Sequence, residues 1–340
     1  MIKAELPKIF ENYQHMLNAY TKLFYKNLNN ELYETHEYFL GWKDDKGRKT
    51  DISGKSFRPS LMMLINESLG GKNENILPLA MSIELFHNFS LIHDDIEDRD
   101  EIRRNRKTVW KIWGEPIGII SGSSMHALAS KSLDLIEKKY DDKKIYLRKL
   151  INKTCLAVIE GQYLDISFES NFNISVDNYT SMIEKKTGAL IETSAIIGSN
   201  IENTTEKNLL NFSKIGKLFG HMFQIKDDYL GIWGDHNLGK PVGSDIIKKK
   251  KSLPILKLIE TSDKKDNKHI KEIFNSENIN DKSKDVILNY MDKYNIKKFC
   301  DAKLIYIYKE CSKTIKDLDI DTIHKNIFKK INYFLMYRVK

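Results

Sequence analysis

The segment LPLAMSIELFHNFSLIHDDIEDR, residues 77–99, constrains the fold more than any other stretch of the chain. Its apolar residues recur at helical spacing, it holds no glycine, and Pro78 stands near its start, so it reads as one long helix. Wound at 100° per residue, it gathers Glu84, His87, Asp94 and Asp98 within roughly a quarter turn, with Asp95 just beside them. Leu85, Phe86, Phe89 and Ile92 fall largely elsewhere and can pack. The helix therefore carries a polar stripe on an otherwise apolar body.

The same texture recurs at 58–70, 144–169, 176–198 and 209–233. With 6 Pro and 17 Gly in 340 residues, little interrupts these runs, and no convincing strand alternation appears. Hydrophobic residues make up 41%, enough for a real core. No Pro/Ser-rich linker divides the chain. The expectation is an all-α, single-domain helical bundle over residues 1–340. Residues 261–284 read as exposed helix and loop, and Arg338 as part of a solvated tail, with a lid as the alternative.

Asp94 and Asp98 lie one helical turn apart, where like charges repel by a few tenths of a kcal/mol (about 0.2–0.5). The cluster is either a solvated acidic helix end or a divalent-cation site. Mg²⁺ suits it, being hard, oxygen-seeking and commonly completed by waters and substrate phosphates. A second stripe, Gln224, Asp227 and Asp228, sits in the apolar run FGHMFQIKDDYLGIW. Gly216 and Gly220 precede it at positions where a helix-interior glycine implies close approach of a neighbour or a ligand. Two such stripes facing one another would hold two or three Mg²⁺ ions between helices.

Basic groups flank both stripes: Lys55 and Arg58 before the helix at 58–70, Arg103 and Arg104 after the first acids, Lys186 with Thr187, and Lys240 and Lys250 after the second. Each alone reads as a surface cation. Together with the acids they match the needs of two diphosphates, one neutralised by metal and one held by Arg and Lys. The net charge of +8 fits an anionic partner, or simply lysines spread over solvent. Nucleic acid is disfavoured, because the acids of residues 94–101 directly precede the RRNRK run and no binding motif is present. Cys155, Cys300 and Cys311 form no CxxC pair, so neither zinc nor a disulfide framework is indicated. The N-terminal residues lack the apolar core of a signal peptide, and no apolar run of about 18 residues occurs, so a cytoplasmic protein without stable membrane insertion is expected.

Taken in order, GKSFRP, ELFHNFSLIHDDIED, RRNRKTVW, EGQYLDI, KKTGAL, FQIKDDYLG and GKPVGSD resemble the motifs of the trans-isoprenyl diphosphate synthases, the polyprenyl synthetase family, over roughly residues 50–255. The resemblance implies the isoprenoid synthase fold around a deep central cavity, usually as a homodimer. It implies Mg²⁺ at Asp94, Asp98 and Asp227, with Asp95 and Asp228 in support. It assigns Lys186, Lys240 and Arg103 to an allylic prenyl diphosphate. Lys55, Arg58, His87 and Arg104 go to isopentenyl diphosphate, and Lys250 closes over the metal-bound diphosphate. Thr187 and Gln224 take the places of groups that steady the carbocation. Two positions depart from the pattern: Gly231 where a third aspartate is common, with Asp235 beyond it, and Ser123 where an aspartate often stands.

Phe89 and Ser90, five and four residues before Asp94, pair one large and one small residue ahead of a complete DDxxD. That pairing resembles a geranylgeranyl diphosphate synthase, with farnesyl or longer products as alternatives. A terpene cyclase is opposed by Lys55, Arg58 and Arg104, which a single-diphosphate enzyme does not need. Gly231 and Ser123 motivate a non-catalytic partner subunit, against which the other motifs stand intact.

Overall fold

The computed structural model describes residues 4–52, 54–169, 171–202, 204–234 and 242–339, and helix dominates them. The order begins α1 (Ile9–Tyr25), α2 (Tyr33–Phe39), α3 (Phe57–Ser68) and α4 (Asn73–Glu97). After a short hairpin come α5 (Val109–Trp113), α6 (Glu115–Ser132) and α7 (Asp141–Glu169). Helix α8 (Val176–Ile183) runs through a π-helical turn at Glu184–Gly188 into α9 (Ala189–Asn200). Then follow α10 (Glu206–Trp233), α11 (Ser244–Ile247), α12 (Leu253–Thr261), α13 (Lys264–Asn275), α14 (Asp281–Lys293), α15 (Ile296–Asp317) and α16 (Thr322–Tyr337).

Helix α3 is apolar on all sides, and a helix of that kind belongs in the interior. Leu61, Met62, Met63, Leu64 and Ile65 are all fully buried there, between α4 and α9. Truncating any one of them to alanine would cost about 2–5 kcal/mol. Helix α4 lies along α6, and α10 packs on α9 and α15. Along α4 the burial pattern reproduces the stripe: Ile83, Leu85, Phe86, Phe89 and Ile92 are buried, while Glu84, His87, Asp94 and Asp98 are half-buried.

Two expectations are corrected. The stretch 261–284 is not merely surface, since Ile270, Phe274 and Ile279 join a second apolar core with Ile287, Met291 and Ile296. The basic run RRNRK forms an antiparallel hairpin in which Ile102–Arg103 pairs with Arg106–Lys107. Arg104 and Asn105 turn it at φ of 52° and 59°. Two successive left-handed residues give the turn whose twist suits a tight hairpin. Strands of two residues are too short to display an alternation.

Helix α6 is held in place by a buried histidine. His36 Nδ1 accepts from Tyr25 Oη at 3.0 Å, and Nε2 donates to the Ser121 carbonyl at 3.0 Å. Burial pushes the imidazole down to about 4, outweighing that backbone bond. Between pH ~6.5 and ~4 the unfolded chain therefore binds a proton that the folded chain refuses, so stability falls as pH drops through that window. His36→Gln should flatten this part of the melting temperature–pH curve relative to the unaltered chain. Equal slopes between pH 7 and 4.5 would refute the assignment.

Candidate active site

A cavity of about 850 Å³ opens between α4, α7, the π-turn and α10, within the usual range for ligand pockets (about 300–1,000 Å³). Asp94 and Asp98 line it from α4, and Asp227 and Asp228 from α10. Phe89, Val158, Ile166 and Met182 add apolar wall.

Each acid has its own environment. Asp94 receives Lys186 Nζ at 3.2 Å and Arg103 Nη2 at 3.0 Å. Burial pushes its carboxyl up, but Lys186 and Arg103 outweigh that and hold it below the usual range. Asp98 goes the other way, to about 6, through burial and the neighbouring Asp94 charge. Asp95, one residue round the helix, is 1% exposed and off the cavity wall; Arg103 Nε holds it at 2.5 Å from the hairpin. Asp227 Oδ1 pairs with Arg338 Nη2 at 2.5 Å. Asp228 is buried and accepts from Gln224 Nε2 at 3.0 Å, the Leu253 amide at 2.9 Å and the Tyr179 hydroxyl. Burial and Asp245 push it to about 7. Asp94, Asp98 and Asp227 thus line the cavity, Asp228 lines it with its carboxylate taken up by three donors, and Asp95 braces the wall from behind.

The donor set is all oxygen, which fits Mg²⁺. Among the described residues, no three acid, His or Cys side chains close around a single point. Pairs of carboxylates suit an ion that keeps waters and takes phosphate oxygens for the rest of its shell. Burial first, and then the Asp94 charge, raise the Asp98 carboxyl, and a bound divalent cation would offset both.

Lys186 and Thr187 sit on the π-turn, a distortion frequent at functional sites. The turn is wide, and small residues let its neighbours reach it: a Cβ on Gly220 would lie 2.7 Å from the Gly188 Cα. Gly216 likewise meets Glu192 Cα of α9, so the close approach expected of these glycines is between helices. Thr187 Oγ1 donates to Gln224 Oε1 at 2.8 Å, and Gln224 passes the chain on to Asp228.

Of the other cations, Arg58, Arg103 and Lys250 line the cavity with His87. Arg58 Nη1 donates to His87 Nε2 at 3.0 Å. Burial and the arginines Arg58, Arg104 and Arg103 hold that imidazole well below its ordinary range, so it is neutral. Ser90 and Ser123 also line the cavity. Lys55 and Arg104 do not. Lys55 is exposed, with Nζ 5.5 Å from the Phe334 ring centroid, and Arg104 lines a separate recess with Ser56 and Glu84. Lys240 and Asp235 lie outside the described residues.

Two residues have contacts to which the motifs assigned no role, although Asp245 ends the GKPVGSD stretch. Arg338 is no solvated tail: it is 6% exposed, donates to the Phe223 carbonyl at 2.9 Å and stacks on that ring at 4.2 Å. Asp245 answers the anomaly at Gly231. A Cβ on Gly231 would fall 2.2 Å from Asp245 Oδ2, so a carboxylate from α11 occupies the volume that a side chain at 231 would need.

Acids on two walls of a partly apolar cavity, lined also by Arg and Lys, define a helical protein built to hold a polyanion with an apolar body. The chain belongs to the polyprenyl synthetase family, which it matches over residues 48–291. It is 36% identical over 266 residues to the short chain isoprenyl diphosphate synthase of Methanocaldococcus jannaschii, covering 76% of this chain and 80% of that one. It is 32% identical over 267 residues to the geranylgeranyl diphosphate synthase of Methanosarcina mazei, covering 78% and 79%. The crystal structure of geranylgeranyl pyrophosphate synthetase from Pyrococcus horikoshii Ot3 superposes with a TM-score of 0.85 at 29% identity, covering 97% of this chain and 98% of that one.

Restoring the common acid should harm this chain. Gly231→Asp forces a second carboxylate onto Asp245, an overpacking of about 1–3 kcal/mol. The melting temperature should fall by at least about 2 °C. An unchanged or higher value would show that Asp245 does not fill the space.

Proposed function

We propose that this cavity condenses isopentenyl diphosphate with an allylic prenyl diphosphate and stops at the twenty-carbon geranylgeranyl diphosphate. The observation that carries the reading is that Asp94 and Asp98, at the C-terminal end of α4, and Asp227 of α10 line one cavity that also has an apolar portion, from Phe89, Val158, Ile166 and Met182. Membership of the family and the geranylgeranyl diphosphate synthase among its relatives support it.

Bound Mg²⁺, two or three ions held by Asp94, Asp98 and Asp227, would supply positive charge to the departing diphosphate. Lys186, Arg103 and Lys250 bind that same group from the rim, and Lys240 keeps its assignment there. Arg58 and His87, with Lys55 and Arg104 from adjoining segments, take the diphosphate of isopentenyl diphosphate. Arg is suited to this, since its fork matches phosphate oxygens in pairs. Thr187 and Gln224, joined by their own hydrogen bond at the cavity wall, take the part of the groups that steady the allylic cation. The apolar wall excludes the water that would quench it. The double bond of isopentenyl diphosphate attacks, and the proton then lost goes to the released diphosphate. No side chain has to act as a strong base.

The reading includes a homodimer. Leu156 (62% exposed) and Tyr163 (72%) on α7, with Ile119 and Ile120 on α6, leave apolar surface uncovered in a single chain. A second copy would cover it. No helix among the described residues is long and apolar enough to cross a membrane. Three free, buried thiols suit a reducing cytoplasm.

Purified chain with Mg²⁺, radiolabelled isopentenyl diphosphate and dimethylallyl, geranyl or farnesyl diphosphate should yield labelled twenty-carbon product. Diphosphate release from the allylic substrate without uptake of label would point to a cyclase. Asp94→Asn should cut turnover by at least about 100-fold while leaving the melting curve in place. Phe89→Ala should lengthen the product, and an unchanged chain length on chromatography would remove Phe89 from the tunnel floor.

A further inference from the structure

Four lysines in succession, Lys248–Lys251, stand between α11 and α12, and each is aimed somewhere different. Lys248 Nζ pairs with Asp100 Oδ1 at 2.8 Å, joining this loop to the one that follows α4. Lys249 is left-handed, with φ of 55°. Its N–H donates to the Ile246 carbonyl at 3.0 Å and the Lys250 N–H to the Asp245 carbonyl at 2.9 Å, the paired bonds that close a helix end over a left-handed residue. Glycine would take that backbone without strain. The lysine there brings a side chain instead, and its Nζ donates to the Ser276 carbonyl and, at 3.1 Å, to the Glu277 carbonyl at the end of α13. Lys250 lines the cavity. Burial opposes its charge, but Asp245 and Asp98 outweigh burial and hold the ammonium above its usual range.

Lys251 has no part in the reaction as read above, yet it is 7% exposed and lines the cavity beside Lys250. Its ammonium lies 3.8 Å from the Phe172 ring centroid and 5.2 Å from that of Phe274. Phe172 comes from the loop after α7 and Phe274 from α13; Phe274 belongs to the second apolar core and Phe172 packs against it. One cation therefore ties that core to the cavity loop. Burial and the Lys249 charge pull the amine down to about 8 against Glu169, so at neutral pH it is charged and attracted to both rings. Two residues further on, the Leu253 amide is fixed on Asp228. Backbone on both sides of Lys250 is thus pinned, by the closed end of α11 before it and by Lys251 and Leu253 after it. A lysine is a point charge on a flexible four-carbon stem, and ordering it costs less when its base is already fixed. We propose that Lys251, seated on Phe172 and Phe274, is a positioning residue for Lys250: it aims that ammonium at the metal-bound diphosphate.

This inference rests on the prenyl-transfer reading, so its test includes a measurement that needs no turnover. Calorimetry with inorganic pyrophosphate in the presence of Mg²⁺ reports diphosphate binding without chemistry. Lys251→Met keeps the length of the stem and removes the charge. It should weaken pyrophosphate binding by at least about fivefold, a fraction of what a hydrogen bond to a charged group contributes. In the full reaction the KM for the allylic substrate should rise by a similar factor, while that for isopentenyl diphosphate stays where it was. Lys251→Arg keeps a cation on the rings and should restore binding. Because the effect runs through Lys250, the double variant Lys250→Met/Lys251→Met should bind no more weakly than Lys250→Met alone. Unaltered pyrophosphate affinity in Lys251→Met, or losses that multiply in the double variant, would overturn the proposal. If Lys251→Met does not fold, Phe172→Leu decides by removing a ring from the other side of the contact, and unaltered affinity there overturns it. Absence of label uptake by the unaltered protein would count against the prenyl-transfer reading, whereas the pyrophosphate series would still test the coupling of Lys251 to Lys250.

Discussion

The structure turns on electrostatic repulsion placed inside an apolar space. Asp94 and Asp98 stand on one wall of the cavity and Asp227 on another. Carboxylates out of water cost free energy unless cations or hydrogen bonds meet them. Here each cation comes from a distant segment: Lys186 from the π-turn, Arg103 from the hairpin, Arg338 from beyond α16. The fold converges on this point because several separate elements must deliver charge to it. Such pairs are a poor source of stability, since apolar replacements are often as stable or more so. Their presence argues for a site organised around a ligand.

The surrounding framework supplies what the charged groups cannot. Helix α3 anchors the interior with fully buried side chains, and α4 lies between it and α6. Asp228 uses its carboxylate to tie α10 to α8 and to the start of α12, through Tyr179 and the Leu253 amide. Thr187 and Gln224 extend that chain of bonds to the cavity. The wall carrying Asp227 is thereby fixed by the same network that positions the two neutral oxygen groups. Rings of Phe86 and Phe89 on α4 and of His126 on α6 meet edge to edge and join those two helices.

What the sequence disclosed and what it hid follow from range. The α4 stripe was legible because a 3.6-residue period converts local order directly into a shared face. The second acidic pair was legible for the same reason. Gly231 and Ser123 stood out against the family pattern, yet the compensation at Gly231 was not visible. Asp245 reaches that space from another helix after an intervening loop, and no periodicity links the two positions. Arg338 was legible only as a lid or a solvated tail, because its pairing with Asp227 depends on helices brought together by tertiary packing. The hairpin at 102–107 escaped because its strands are too short to alternate and its turn needs left-handed backbone at Arg104 and Asn105. Lys55 and Arg104 carry the motif identity but stand off the cavity wall, where sequence order could not place them.

The central claim is that the acids of α4 and α10 act together on metal and diphosphate. Mn²⁺ binding followed by electron paramagnetic resonance, with and without inorganic pyrophosphate, tests it most directly. The account predicts weak binding of Mn²⁺ alone, much tighter binding once pyrophosphate is present, and loss of that gain in either Asp94→Asn or Asp227→Asn. Tight Mn²⁺ binding that ignores pyrophosphate, or that survives both substitutions, would contradict it.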